Sequence, residues 1–534
     1  MLIMKFGGTS VGSGERILHV ARIVQAQRAR NPVVVTSALS GVTDSLLALT
    51  DAVAQGGRAI CERIVEELRG RHLDAAHHIN PRADWGTLDV RLAGLRDVVD
   101  DALAHRDDPA ATRDALAGFG ELLAVPLVAE ALRTLGEPAL AWEAPIVVTN
   151  DHFGEASPLI EPTRAEARCA VERASEGVPG VRGGRPPDAP TQPRGPGGRP
   201  PDAPTDAILV TPGFIGRTRD GRPTTLGRGG SDYSATLLAA ALGAEACWIY
   251  TDVDGVFSAD PRVVHDAAVL PRISAAAAGR LAYCGAKVLH PRAVAPAARA
   301  GIELRVRNSF RPEHPGTLIE VRADDARKRP QAQAVAGRRG LCAVGVVGAG
   351  TAEIHGLFGR LCAAILDAGG EIVEAAHPVA GHDPRAIVDA ARAEAIVEQI
   401  GRELATERVQ GLIEDIVVQR DLALCAVLGA NLGHAQLVQA QRALAAERIA
   451  PISQSASPDA LSFIISQAAL ERAIIRLHSE VVRPALRGGD ADERPERPYL
   501  DGDVQDGRSR RRSQAAHGGN PGRGTEVPAQ KAAG

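Results

Sequence analysis

Four stretches carry residues whose types and spacing suit an anionic, phosphate-bearing substrate. The first is Lys5-Phe6-Gly7-Gly8-Thr9-Ser10-Val11. Paired glycines let backbone N–H groups approach phosphate oxygens, and the lysine adds a cation beside them. The lysine precedes the glycines, so this is not the GxxxxGK[ST] loop; taken alone, the pair also reads as an ordinary tight turn. The second stretch, 224–235 (TTLGRGGSDYSA), sets Arg228 among three glycines and follows it with Ser231 and Asp232. A guanidinium there can grip a carboxylate through two parallel hydrogen bonds. Ser231 reads as the N-cap of the helix that follows, with Asp232 in its first turn. A capped helix with an exposed arginine is the plainer alternative. The third, 250–262 (YTDVDGVFSADPR), is a strand running into acidic and turn residues, where open α/β sheets place ligands. A calcium loop does not fit, because 256–260 lack the remaining oxygen ligands and the terminal Glu. The fourth, 285–291 (GAKVLHP), contains Lys287 and His290; a histidine before a proline reads as a structural hydrogen-bonder and takes no chemical role.

The elements that must position these residues follow from periodicity. From residue 1 to about 174, short apolar runs such as 32–36 (PVVVT) alternate with helical stretches such as 45–53 and 122–135. That grammar predicts a mainly parallel sheet covered by helices on both sides, an α/β sandwich. Residues 177–206 interrupt it with a Pro/Gly-rich segment in which GGRPPDAPT occurs twice. Such a composition cannot bury enough apolar surface to offset its ordering entropy, and it is expected to be a disordered surface insertion. The alternation resumes at 207–211 and runs to 319–321. Residues 322–340 read as a charged linker. Two segments of strand–helix–strand–strand–helix grammar follow, at 336–413 and 414–483, and each predicts an α+β ferredoxin-like unit. Residues 484–534 are charged and read as an unfolded tail.

Composition narrows the class. At 534 residues the chain suits two or three domains, and its hydrophobic fraction of 45% is that of a globular protein. A net charge of −4 offers no attraction to nucleic acid or to an anionic membrane. No uninterrupted apolar run reaches the roughly 18 residues of a membrane span, and the first residues lack the apolar core of a signal peptide. The seven cysteines are scattered without a CxxC pair, which argues for reduced thiols in a cytoplasmic protein rather than a disulfide frame or a metal cage.

Taken together and in this order, KFGGTSV, GRGGSDY and the stretches between them resemble the aspartate kinase family of the amino-acid-kinase superfamily. Further segments that carry the resemblance are 37–44 (SALSGVTD), Gly120-Glu121, 211–216 (TPGFIG) and 307–310 (RNSF). It covers about residues 1–320 without the insertion, so the domain expected is 1–322. The two C-terminal segments look like the tandem ACT domains of such kinases. The resemblance implies a γ-phosphoryl transfer from ATP, with Mg²⁺, to the β-carboxylate of L-aspartate, the first step toward lysine, threonine and methionine. It implies that Lys5 and Lys287 hold the ATP phosphates, with Phe6, Gly7, Gly8, Thr251, Asp252, Phe257, Arg262 and Val288 at the nucleotide. Arg228 would bind the substrate α-carboxylate, Glu121 its α-amino group, and Thr43 and Ser231 would complete the substrate site. Asp232 would organise the lysines. A homodimer through the ACT domains, with lysine or threonine as effector, is also implied. Two departures stand out: Gly118 occupies the place of the usual serine before Gly-Glu, and 375–384 (AAHPVAGHDP) replaces the usual Ser-Glu effector signature. Another kinase of the superfamily, or an amino-acid sensor without catalysis, are the competing readings; retention of Lys5, Glu121, Arg228, Asp232 and Lys287 argues against decay.

Overall fold

The structure is a computed structural model that describes residues 1–105, 108–176, 207–285, 289–320, 331–348, 351, 354–376 and 384–487. The insertion expected at 177–206, Lys287, Val288, and most of the tail lie outside these residues.

The N-terminal region is built on an eight-stranded sheet with the order β3-β5-β2-β1-β8-β10-β11-β9. These strands are β1 (Leu2–Phe6), β2 (Pro32–Thr36), β3 (Ala139–Ala141), β5 (Ile208–Pro212), β8 (Ala246–Thr251), β9 (Arg272–Ser274), β10 (Glu303–Asn308) and β11 (Thr317–Glu320). All neighbours pair in parallel except β10 and β11. A small second sheet joins β4 (Val147–Val148), β6 (Ile215–Arg217) and β7 (Pro223–Thr225). Side chains alternate across β1: Leu2, Met4 and Phe6 enter one core, while Ile3 enters the other.

The first core is roofed by α1 (Gly14–Gln25), α2 (Val42–Ala54), α3 (Arg58–Ile79), α4 (Gly86–His105) and α5 (Pro109–Thr134). The second is roofed by α6 (Ile160–Ser175), α7 (Gly230–Leu242), α8 (Ala275–Tyr283) and α9 (Pro291–Ala300). This is the expected αβα sandwich. Because β2, β1 and β8 run parallel side by side, their C-terminal ends open on one edge, which places Gly7, Ser37 and Thr251 together. Among the described helices, α5 alone is long and apolar enough to cross a membrane, yet 83% of that stretch is buried inside the fold.

The C-terminal region is a six-stranded antiparallel sheet, β13-β14-β12-β15-β17-β16. Its strands are β12 (Gln331–Val347), β13 (Ile372–Ala376), β14 (Arg385–Asp389), β15 (Asp415–Ala430), β16 (Ser453–Ser457) and β17 (Ala460–Ser466). The helices are α10 (Leu357–Asp367), α11 (Ala393–Glu403), α12 (Ala405–Val409), α13 (His434–Ala446), α14 (Leu470–Leu477) and α15 (Arg483–Arg487).

Two long strands, β12 and β15, run the whole length of this sheet and are irregular where Arg338–Leu341 faces Leu422. Beyond that break the second half of β12, with α10, β13, β14, α11 and the first half of β15, completes one ferredoxin-like βαββαβ unit. Before it the second half of β15, with α13, β17, β16 and α14, completes another, and the first half of β12 serves as its outer strand. The units are therefore nested rather than consecutive at 336–413 and 414–483. Residues 331–340, expected as linker, are strand. Their alternation is carried by alanines (Ala332, Ala334, Ala336), a weak signal that pairing with β15 turns into structure. The tail also begins later than expected, since residues 483–487 are helical.

Candidate active site

A cavity of about 1040 Å³ opens at the C-terminal edge of β1, β2 and β8. That is at the top of the roughly 300–1,000 Å³ typical of small-molecule sites, enough for more than one small ligand. Of the residues expected at a site, Lys5, Gly7, Gly8, Thr43, Glu121, Arg228, Ser231, Asp232, Thr251 and Asp252 all line it.

Lys5 is the last-but-one residue of β1 and points toward α7, where its Nζ lies 2.5 Å from Asp232 Oδ1. Both side chains are nearly buried, which fixes the ammonium beside the Gly7-Gly8 turn. Gly7 N–H is committed to Tyr250 O at 3.2 Å. Gly8 is required for closeness: a Cβ there would meet Ala38 O at 2.9 Å. Phe6, by contrast, has its ring stacked on Tyr250 at 4.7 Å and buried in the core, so only its neighbours face the cavity.

The glycines of 227–230 are explained by strain and crowding. Gly227 and Gly229 have φ of 72° and 70°, and a Cβ at Gly229 would fall 2.2 Å from that of His290. Helix α7 starts at Gly230 with Gly229 as its N-cap, not Ser231 as the sequence suggests. Ser231 therefore sits one residue inside the helix and spends its hydroxyl on Glu121. Arg228 is exposed at the cavity rim and makes no ion pair among the described residues. His290 caps α9 by accepting from Arg292 N at 3.3 Å, a structural role as expected.

Glu121 lies on α5, whose Gly120 lets the helix press against Ala38; a Cβ there would meet Ala38 Cβ at 2.6 Å. Its carboxyl is fully buried, and that burial pushes its pKa up to about 8 against the smaller opposing pull of Ala38 N–H, Lys5 and Ser231. Among the described residues Oε2 has no hydrogen-bond partner. The site thus presents a carboxyl that burial favours in its protonated form, with one oxygen left for a cationic group. Gly118 one turn earlier has a physical reason too, since a Cβ there would meet Ile215 Cγ2 at 3.0 Å.

Some expected residues are not brought here. Phe257 is buried and bridged to Val269, away from the cavity lining. Arg262 is exposed and held by Asp260 at 2.7 Å, two residues back in the same turn. Conversely, sequence reasoning missed Asp114. It is buried and accepts from Gly154 N at 2.8 Å, Thr225 N at 2.8 Å and Thr225 Oγ1 at 2.7 Å. It ties the 153–155 loop and the end of β7 to α5, next to Arg228. Its spacing of seven residues from Glu121, two helical turns, was the available signal.

The amino acid kinase family model matches residues 1–159 and 203–308, the segments that build this cavity. The chain belongs to the amino acid kinase family. The match breaks after residue 159 and resumes at residue 203, a few residues before β5. Lysine-sensitive aspartokinase 3 of Escherichia coli is 35% identical over 320 residues, 60% of this chain and 64% of that protein. Chloroplastic aspartokinase 3 of Arabidopsis thaliana is 32% identical over 59% of this chain and 52% of its own length. The chain spans about half the length of the plant relatives it matches. Among solved structures, E. coli aspartokinase III in complex with aspartate and ADP aligns with a TM-score of 0.71 and 26% identity. That alignment covers 90% of this amino acid kinase family chain and 99% of the E. coli protein. The E. coli protein in complex with lysine and aspartate aligns with a TM-score of 0.69.

Proposed function

We propose that this member of the amino acid kinase family is an aspartate kinase, which transfers the γ-phosphoryl group of ATP to the β-carboxylate of L-aspartate and yields 4-phospho-L-aspartate. The observation that carries the reading is the pairing, in one cavity, of the Lys5–Asp232 ion pair beside Gly7-Gly8 with a buried neutral Glu121 and an exposed Arg228. A phosphoryl donor needs the first group; an amino acid, with one ammonium and one carboxylate, needs the other two. The E. coli relative holds aspartate and ADP, which supports the same pair of ligands here.

The chemistry asks little of a base. A β-carboxylate with an ordinary pKa of about 3.9 is ionised at neutral pH. The obstacle is that two anions must meet, so the protein's part is in-line positioning and positive charge. In this reading Lys5 Nζ, oriented by Asp232, faces the transferring phosphoryl group. Arg228 binds the α-carboxylate through its planar fork. Glu121 yields its proton as the substrate ammonium arrives and becomes its counter-ion, with Ser231 and Thr43 alongside. Lys287 would supply the second cation.

Mg²⁺ fits in one way only. Among the described residues there is no cluster of three or more metal-binding side chains. Mg²⁺ is commonly held by one or two carboxylates, nucleotide phosphates and water, and Asp232 and Asp252 line the cavity for that role. Bound there, it would neutralise charge on the phosphates. Pairing of the ferredoxin-like units of two chains into a homodimer, with lysine or threonine as effector and a cytoplasmic setting, belongs to the same proposal. The decisive assay compares aspartate-dependent with glutamate-dependent ADP release. Turnover with glutamate alone would move the protein to another branch of the family, and none with either would leave an amino-acid sensor.

A further inference from the structure

Four side chains tie the catalytic region to the last helical turns of the C-terminal region. Ser258 Oγ lies 2.9 Å from His478 Nε2, His478 Nδ1 faces Asp266 Oδ1 at 3.8 Å, and Asp266 accepts from Arg483 at 2.8 Å. The residue types match a nucleophilic triad, but Ser258 is 0% exposed and does not line the cavity, so no substrate reaches it. The arrangement is built for holding. Ser258 Oγ also accepts Ala268 N–H at 2.9 Å, so the hydroxyl is held both from within the segment and by His478. His478 also opens a five-residue π-helical segment, His478–Val482, a rare form concentrated at functional sites.

What is being held matters more. Thr251 and Asp252 line the cavity and begin a segment that returns to the sheet at β9. The near part is clamped from within the catalytic region, where Asn308 Nδ2 and Arg311 Nη1 each reach Asp254 at 2.8 Å. Its far part is clamped from outside. Ser258 O accepts Val335 N–H of β12 at 2.8 Å, and Ala259, Val264 and Ala267 share a core with Leu477, Val481 and Val482. Between the clamps, Leu270 N donates to Val256 O and keeps the segment one folded piece.

We infer that His478 is a positioning residue: it fixes the far end of segment 252–270 and, through it, the Thr251–Asp252 wall of the cavity. The inference rests on the reading of that cavity as a nucleotide site. The test compares His478→Leu with His478→Gln, whose amide can place an acceptor where Nε2 lies. Amide hydrogen exchange across 252–270 and calorimetric ADP affinity are measured on the full chain, beside aspartate turnover by the wild type. In the Leu variant exchange speeds up through 252–270, and ADP affinity falls by roughly three- to thirtyfold, the range of a residue that modulates a site it does not touch. The KM for aspartate moves by less than about twofold, and Gln restores both readouts. Unchanged exchange at 252–256, or unchanged ADP affinity, overturns the inference. If the wild type binds no ADP, the nucleotide reading falls separately, and the exchange result alone decides the role of His478. Should the Leu variant fail to fold, His478→Phe, which keeps more of the ring's volume while removing the same bond and leaves Ser258 with Ala268, is read identically.

Discussion

Replacing Glu121 by Gln tests the electrostatics of the site without disturbing its shape. The carboxyl is fully buried with a pKa near 8, against 4.5 for the free side chain, so folded and unfolded states bind different numbers of protons between those values. In that window the native protein keeps a proton that the unfolded chain has released. Stability therefore falls as pH rises: the favourable contribution is complete below pH 4.5 and is lost progressively up to about pH 8. The slope is about 1.4 kcal/mol per pH unit, and the full span about 5 kcal/mol. Gln is isosteric and does not titrate. The stability of Glu121→Gln relative to the wild type should then climb by about 1.4 kcal/mol per unit between roughly pH 5.5 and 7.5, since other titrations cancel. Urea unfolding of both proteins at several pH values, followed by circular dichroism, reads this directly. Aspartate binding supplies the complement: at about pH 7 it should release close to one proton per site in the wild type and none in the variant, measured by calorimetry in buffers of different ionisation enthalpy. A flat difference with pH, and no proton release, would mean that Lys5 and the Ala38 N–H outweigh burial. Glu121 would then be ionised before substrate arrives, and the account of its role would be refuted.

The remaining predictions are shorter. Lys5→Ala should lower kcat by about 10²–10³, the usual loss for one electrostatic contact to the transition state, with the fold retained by circular dichroism; near-normal turnover would remove Lys5 from the chemistry. Arg228→Lys should raise the KM for aspartate far more than that for ATP, because an ammonium cannot reproduce the bidentate fork; an effect confined to ATP would move Arg228 to the nucleotide side. Asp114→Ala leaves buried donors from Gly154 and Thr225 unpaired and should cost about 1–3 kcal/mol in chemical denaturation, with a raised KM for aspartate from the loosened loop. Residues 375–384 lack the usual effector signature, so lysine, threonine and methionine should each inhibit by less than about fivefold at low-millimolar concentration, the lower edge of ordinary allosteric coupling. Stronger inhibition would show an intact effector site.

The site was legible where chemistry is local in sequence. Lys5 with Gly7-Gly8, and Arg228 with Asp232, are each only a few residues apart, and both pairs reach the same cavity. Asp114 offered only its seven-residue spacing from Glu121 as a signal, because its role depends on donors at Gly154 and Thr225, which no local pattern connects to it. Ser231 was misplaced as a cap for a related reason. Gly229, with its positive φ, takes the cap position and so shifts the start of α7 by two residues. Phe257 and Arg262 follow the cavity residues closely in sequence, but Phe257 is buried and bridged to Val269 and Arg262 is exposed and paired with Asp260, so neither lines the cavity.

The C-terminal topology shows why consecutive grammar can mislead even when every element is real. Strands β12 and β15 are 17 and 16 residues long, about three times the ordinary strand, and each serves two units. A reader of the sequence sees two apolar runs, 341–347 and 422–428, and assigns one to each unit. The other halves escape because 331–336 is alanine-rich and 415–420 is mostly half-exposed or exposed. Nesting has a mechanical consequence. The half of β12 that completes the second unit precedes the whole first unit, so neither can be excised by cutting the chain at one point. Arg338, at the irregularity between the two halves, reaches Glu371 at 3.1 Å and Asp389 at 3.4 Å and lies over the Tyr283 ring of α8. A ligand that altered the register of these two strands would therefore act on both units and on α8 together, because Arg338 sits where the two halves meet.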